Sequence, residues 1–263
     1  MCKFSIIIPN YNKGKYINEC LDSIINQNFD KRKYEIIVVD DGSNDESLDI
    51  ISKYPVKLLK TSRKGAGGAR NKALNIAIGE YIIFIDSDDY LYDENVISEL
   101  NKIINNQDII FLTMVKNDFG KETVMVEEKN SLNEKIEKTK LLGCTTKCFK
   151  RKLIKDIRFT ENIAYEDICF TLECLCRCQS YDYLETPFYM YRKVKNSNTT
   201  QEVSGKVMTD LILEISRIYY LCFKYPNYKD NLIKRIKNDN LPLRLEILNN
   251  LIENGNNNFR KYF

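Results

Sequence analysis

At 263 residues the chain can bury a large core, and this length fits one elaborated domain better than two independent ones. A hydrophobic content of 43% is that of an ordinary globular protein, and a formal charge of +3, from 40 basic and 37 acidic residues, leaves no electrostatic footprint for nucleic acid. The excess of Lys and Arg collects after Arg192, where an anionic partner would go.

In chain order, Met1-Cys2-Lys3 leads into the apolar run Phe4 to Ile8, which Pro9-Asn10 ends before it reaches the length of a signal peptide's apolar region. No apolar stretch approaches the roughly 20 residues of a membrane-spanning helix. With Cys169, Cys174, Cys176 and Cys178 clustered in a chain lacking an export signal, these features predict reduced thiols and a cytoplasmic location. The cluster lacks Cys-x-x-Cys spacing and the chain has no His, so structural zinc is the weaker reading.

Runs rich in Ile, Val and Phe at Phe4 to Ile8, Glu35 to Val39, Val56 to Leu59, Tyr81 to Ile85 and Ile109 to Val115 read as buried strands. Between them, Tyr16 to Ile25, Ser47 to Lys53, Ala69 to Ile78 and Asn95 to Ile104 repeat apolar residues at helical spacing. This alternation predicts parallel strands joined by right-handed helical crossovers. After Val115 the pattern changes. Lys121 to Glu128 suits a hairpin or edge strand, Ile168 to Cys178 a helix, and Tyr183 to Tyr191 a strand interrupted by Pro187 near an edge. From Val203 to Cys222, the positions Val207, Leu211, Ile215, Ile218 and Cys222 line one helical face; Leu232 to Ile252 continues similarly, broken at Pro242. Asn254 to Asn258 reads as loop. The chain divides into an α/β half at 1–115, a second half of the same domain at 116–200, and a helical extension at 201–263.

In open parallel sheets, ligands bind where strands end at their carboxyl edge. There the sequence has Pro9-Asn10-Tyr11-Asn12, Asp40-Asp41-Gly42-Ser43 and Asp86-Ser87-Asp88-Asp89. Residues i and i+2 of an extended segment share a side, so Asp86 and Asp88 would face one point, and a hard divalent cation would relieve their repulsion. A solvated helix-capping loop is the alternative. One of the acids Asp40-Asp41 could accept from the imide N–H of uracil, or simply belong to a turn; Tyr11 could stack on the base. Lys64-Gly65-Ala66-Gly67-Gly68-Ala69-Arg70-Asn71 precedes a helix, where flexible backbone, a helix N-terminus and the Arg70 fork could cradle phosphate. It matches neither the dinucleotide fingerprint nor a Walker loop.

With these pieces in order, the chain resembles the inverting family 2 glycosyltransferases of the GT-A fold. The resemblance rests on Phe4-Ser5-Ile6-Ile7-Ile8-Pro9-Asn10-Tyr11-Asn12, Val38-Val39-Asp40-Asp41-Gly42-Ser43, Gly68-Ala69-Arg70-Asn71 and Phe84-Ile85-Asp86-Ser87-Asp88-Asp89. Tyr165-Glu166-Asp167-Ile168-Cys169-Phe170 resembles the segment that supplies the family's catalytic base. The resemblance implies a Rossmann-like, mostly parallel sheet flanked by helices, transfer of sugar from a UDP-sugar to an acceptor hydroxyl, and a Mg2+ or Mn2+ cofactor. It implies Asp167 as base, Asp88 and Asp86 at the metal, and Pro9, Tyr11, Asp41, Arg70, Asp86, Ser87 and Lys195 at the donor. The family often carries a late His near metal or diphosphate, and this chain has none, which leaves coordination resting on Asp88.

A sugar-nucleotide nucleotidyltransferase would share the sheet but would usually need a Gly-rich, Arg-containing loop after the first strand, where Pro9-Asn10-Tyr11-Asn12 stands; a non-catalytic nucleotide-sugar-binding protein is the other alternative. Tyr219, Tyr220, Phe223, Tyr225 and Tyr228 near Lys224, Lys229, Lys234, Arg235 and Lys237 suit a membrane surface carrying a lipid-linked acceptor, or else a lid or homodimer contact.

Overall fold

The computed structural model describes residues 2–194 and 205–238. Phe4–Asn10 (β1) is buried along its whole length, as a strand covered on both faces must be. It pairs in parallel with Tyr34–Asp40 (β2), from Phe4 opposite Tyr34 to Asn10 opposite Asp40. Lys57–Lys60 (β3) extends the sheet beyond β2, and Tyr81–Phe84 (β4) lies parallel on the other side of β1. The strands expected in this half are present, with boundaries shifted by one to three residues. The helices between them are Gly14–Ile25 (α1), Ser47–Ile51 (α2) and Gly65–Leu74 (α3), with Val96–Ile103 (α4) following the short strand Tyr90–Leu91 (β5).

Alternation along β1 sorts the core into two layers. Phe4, Ile6 and Ile8 pack with Leu21 and Ile24 of α1 and Leu100 of α4. Ile7 packs with Ala69 and Ala73 of α3 on the opposite face. This period of two is what a strand inside a doubly covered sheet imposes.

The second half departs from the simple repeat. Ile109–Asp118 (β6) is not the next neighbour of β4, because Lys147–Lys150 (β8) lies between them, antiparallel to both. Lys121–Met125 (β7) folds back on β6 as the expected hairpin. Tyr181–Arg192 (β9) runs parallel to β6, and β5 pairs antiparallel with its last part. The order is β3-β2-β1-β4-β8-β6-β9-β5, nine strands among the described residues with β7 beside β6. The strand around Pro187 is therefore not a plain edge strand: it is flanked on one side by β6 and, at Tyr189 and Met190, by β5 on the other. Pro187 sits where the register with β6 shifts, so its missing N–H falls at an irregularity.

On the α3 face lie Leu132–Lys138 (α5), Asp167–Arg177 (α6), Gly205–Lys224 (α7) and Lys229–Asn238 (α8). Leu211, Ile218 and Cys222, on the expected apolar stripe of α7, are buried in this core. The remainder of the last predicted helix, with Pro242 and the Asn254 to Asn258 tract, lies outside the described residues.

The Gly-rich segment corrects one expectation. It is the first turns of α3 rather than a loop ahead of it. A Cβ at Gly67 would stand 2.1 Å from the Thr160 carbonyl oxygen, so glycine here permits close packing of α3 against the segment leading to α6. Asn71 locks that approach with two bonds, Nδ2 donating to Phe159 O at 3.0 Å and Oδ1 accepting from Phe159 N at 2.9 Å. Phe159 in turn stacks on Phe170 of α6 at 3.8 Å between ring centroids. Gly67→Ala should therefore cost about 1–3 kcal/mol or more, because the clash is with backbone. Urea denaturation would measure this as a lowered midpoint, and an unchanged midpoint would mean α3 is free to shift.

Candidate active site

Because β1, β2 and β4 are parallel, their carboxyl ends meet at one rim. Ile85 N donates to Ile7 O at 3.0 Å, and Pro9, the next residue of β1 facing β4, has no N–H with which to continue the ladder. The pairing of the two strands ends there. Asp40 turns inward, accepting from Asn10 Nδ2 at 2.9 Å and from the N–H groups of Gly42 and Ser43 at 3.2 and 3.1 Å. Asp41 turns the other way: its two oxygens accept from Lys64 N at 2.7 Å and Gly65 N at 2.8 Å, holding the first N–H groups of α3. Tyr11 is 40% exposed at the rim, with the Arg63 guanidinium 5.3 Å from its ring centroid.

Arg70 is the centre of the arrangement. It is buried, lies over the Phe159 ring, and bridges two carboxylates from distant segments: Asp86 Oδ1 accepts from Nη2 at 2.7 Å, and Glu166 Oε1 accepts from Nη1. The fork expected to face phosphate is thus turned onto two acids. Burial pushes the Asp86 carboxyl up, Arg70 pulls it down, and repulsion from Asp88 adds to the rise. Ser87 is buried between them. Asp86 and Asp88 do not share one partner, since Asp88 Oδ2 meets the Lys13 ammonium at 2.5 Å. Asp89 is buried and accepts from the Tyr189 hydroxyl at 2.5 Å and from Arg192 N at 2.7 Å, tying the acidic turn to β9.

Asp167 opens α6, one residue beyond the Arg70 bridge, and its Oδ2 accepts from Cys144 N at 3.3 Å. Burial and the neighbouring Glu166 push its carboxyl up to about 6, against the opposing pull of Arg70. Tyr165, immediately before the pair, has φ of 61°, a left-handed conformation that is strained for an aromatic residue. Helix α7 holds this segment: Asp210 accepts from Ala164 N at 2.9 Å, and Glu214 accepts from Cys169 N at 3.0 Å and from the Thr160 hydroxyl at 2.6 Å.

The sites read from sequence at Asp86, Asp88, Arg70 and Asp167 come together, and Asp41 is linked to them through the start of α3. Lys195 lies outside the described residues. Sequence reasoning missed Lys13, Asp210 and Glu214. Lys13 follows Asn12 in a strand-end loop already singled out, and the i, i+4 acids Asp210 and Glu214 border the apolar stripe of α7, so both left a readable signal.

Among the described residues, no group of three or more His, Cys, Asp or Glu could hold a metal by itself. Asp88 already faces a cation, the Lys13 ammonium, and oxygen donors suit a hard divalent ion that takes one or two carboxylates and completes its shell from substrate phosphate and water. The residues fit Mg2+ or Mn2+ in that form.

The model of the family described as "Glycosyl transferase family 2" matches residues 5–158, which includes β1, β2, α3 and the acidic turn after β4. A poly(ribitol-phosphate) beta-glucosyltransferase of Bacillus spizizenii is 41% identical over 203 residues, 69% of this chain and 32% of that protein, so the chain spans about a third of that relative's length. TarP of Staphylococcus aureus, a poly(ribitol-phosphate) beta-N-acetylglucosaminyltransferase, is 30% identical over 247 residues, 88% of this chain and 75% of that protein. The crystal structure of S. aureus TarS 1-349 in complex with UDP-GlcNAc superimposes with a TM-score of 0.71 at 29% identity, covering 82% of this chain and 66% of that one. The fold is the GT-A fold expected from the sequence, and the chain belongs to glycosyl transferase family 2.

Proposed function

We propose that the chain is an inverting glycosyltransferase that moves a sugar from a UDP-sugar to an acceptor hydroxyl in the assembly of a cell-surface polysaccharide or glycolipid. The observation that carries this is the Arg70 bridge, which joins the acidic turn after β4 to the Glu166–Asp167 pair. The UDP-GlcNAc bound to TarS and the poly(ribitol-phosphate) named for the relatives support a uridine donor and a polyol or saccharide acceptor.

In this reading Asp167 takes the proton of the acceptor hydroxyl as its oxygen forms the new bond to the anomeric carbon. The bond from that carbon to the diphosphate breaks from the opposite side, and UDP leaves with inversion of configuration. Glu166 is turned to Arg70, and its position beside Asp167 raises the Asp167 carboxyl, which favours proton uptake by the base. Pro9, Tyr11, Asp41 and Ser87 form the nucleotide side, with Asp86 toward the ribose or a metal-bound water, and Lys195 adds positive charge for the diphosphate. A divalent cation at Asp88 would offset the charge that develops on the departing diphosphate. The acceptor side is built by residues 116–200, with α7 behind it.

The location proposed is the cytoplasm, with the inner face of the membrane as the place of a peripheral contact. Among the described residues no helix is long and apolar enough to cross a membrane. The outer face of α7 exposes Tyr220 at 62% and Phe223 at 84%, which supports a peripheral contact with a membrane carrying a lipid-linked acceptor, or with a second copy of the chain.

Asp167→Asn should lower kcat by about 10²- to 10⁴-fold while leaving the dissociation constant for UDP unchanged. Turnover by the variant at the wild-type rate would remove Asp167 from the role of base. A base must be ionised to act, and the Asp167 carboxyl is raised, so activity should fall as pH drops through about 6, above the ordinary Asp range. A pH–rate profile would show the limb there in the wild type. Phe223→Ser should weaken co-sedimentation with anionic phospholipid vesicles at low salt; equal sedimentation of both proteins would argue for the self-contact instead.

A further inference from the structure

Three acids of the turn after β4 face three different partners, and the partners differ in kind. Asp86 faces Arg70 and Asp89 faces Tyr189, both nearly inaccessible and held by surrounding packing. Asp88 faces Lys13, whose side chain is 29% exposed and whose ammonium bonds Asp88 alone among the described residues.

The backbone at this point is held by hydrogen bonds, while the side chain is partly exposed. Gly14 N donates to Asp45 Oδ2 at 2.8 Å, and Lys13 O accepts from both Tyr16 N and Ile17 N at 2.9 Å, so the start of α1 is tied to the segment before α2. Lys13 therefore hangs a flexible four-carbon stem from a rigid anchor, with a compact charge at its end. A rotation about that stem moves the ammonium off Asp88 without moving the helix.

We propose that Lys13 is a displaceable counter-ion that competes with the divalent cation for Asp88 and passes to the donor's diphosphate when the cation binds. This inference rests on the reading of Asp88 as the cation's ligand. An ammonium at hydrogen-bond distance and a doubly charged ion cannot both sit against one carboxylate without strong repulsion. The cation alone must therefore displace Lys13 into solvent and lose its ion pair. With the donor present, the diphosphate offers the released ammonium a second anion, so the loss is recovered. Cation and nucleotide then bind with positive coupling, and by linkage each raises the affinity of the other by the same factor. The arrangement would keep the acidic turn neutralised in the absence of donor and disfavour a tightly held metal without its substrate.

The test is a titration of Mn2+ followed by its EPR signal, with and without UDP, on the folded wild-type chain, Lys13→Met, Lys13→Arg and Asp88→Asn. Lys13→Met should bind Mn2+ without UDP roughly fivefold or more tightly than wild type, and the gain produced by UDP should shrink by a similar factor. Lys13→Arg keeps the charge and should remain as weak as wild type without UDP. If Lys13→Met holds Mn2+ alone no better than wild type, while Asp88→Asn still abolishes the Mn2+ held with UDP, the competition is overturned and the ligand role of Asp88 stands. If Asp88→Asn leaves the UDP-dependent Mn2+ signal intact, the ligand role itself fails, and the inference with it. Should Lys13→Met fail to fold by circular dichroism, Lys13→Gln carries the same comparison.

Discussion

The arrangement depends on a buried arginine held between two carboxylates that are far apart in the chain. Arg70 is 3% exposed, and its partners Asp86 and Glu166 come from the turn after β4 and the start of α6. Removing a guanidinium and two acids from water is costly, and breaking such a set leaves a buried charge uncompensated, at about 3–5 kcal/mol. The bridge is thus a geometric constraint more than a source of stability. The acidic turn and the Glu166–Asp167 pair must stand on either side of α3, at the spacing one guanidinium spans.

Several weaker features bring α3 to the position this bridge needs. Glycine at 67 lets the helix touch the Thr160 carbonyl, Asn71 closes two bonds with Phe159, and Asp41 holds the first turn from the end of β2. From the other side, Asp210 and Glu214 of α7 hold the backbone around Glu166–Asp167. Helix α7 is therefore part of the apparatus that orients the proposed base. Its inward acids hold that backbone, and its aromatic residues Tyr220 and Phe223 are exposed.

Electrostatics along the rim follow from this packing. Acids gathered where water is scarce are pushed toward protonation, and each is restrained by a cation or donor of its own. Asp167 has the Cys144 N–H and the nearby Arg70 charge against burial and Glu166, and its carboxyl is pushed up to about 6. Asp88 differs again, because its partner Lys13 is a partly exposed lysine rather than a buried group.

What the sequence by itself determined is the parallel half of the sheet and the identity of the polar residues at its rim. Those features are local: runs such as Phe4 to Ile8 and Tyr81 to Ile85 are apolar because both faces are covered, and the residues that follow them must lie at the carboxyl edge. Only the tertiary structure decided where the charged groups point. Arg70 and Glu166 are 96 residues apart and Lys13 and Asp88 are 75, and no periodicity encodes pairings of that span. The same holds for β8, four residues too short to announce themselves, which enters between β4 and β6 through long-range pairing. Side-chain chemistry is written in the chain, but the direction of a buried fork or a swinging ammonium depends on which backbones can approach, and here that is settled by glycine contacts and helix packing across the core.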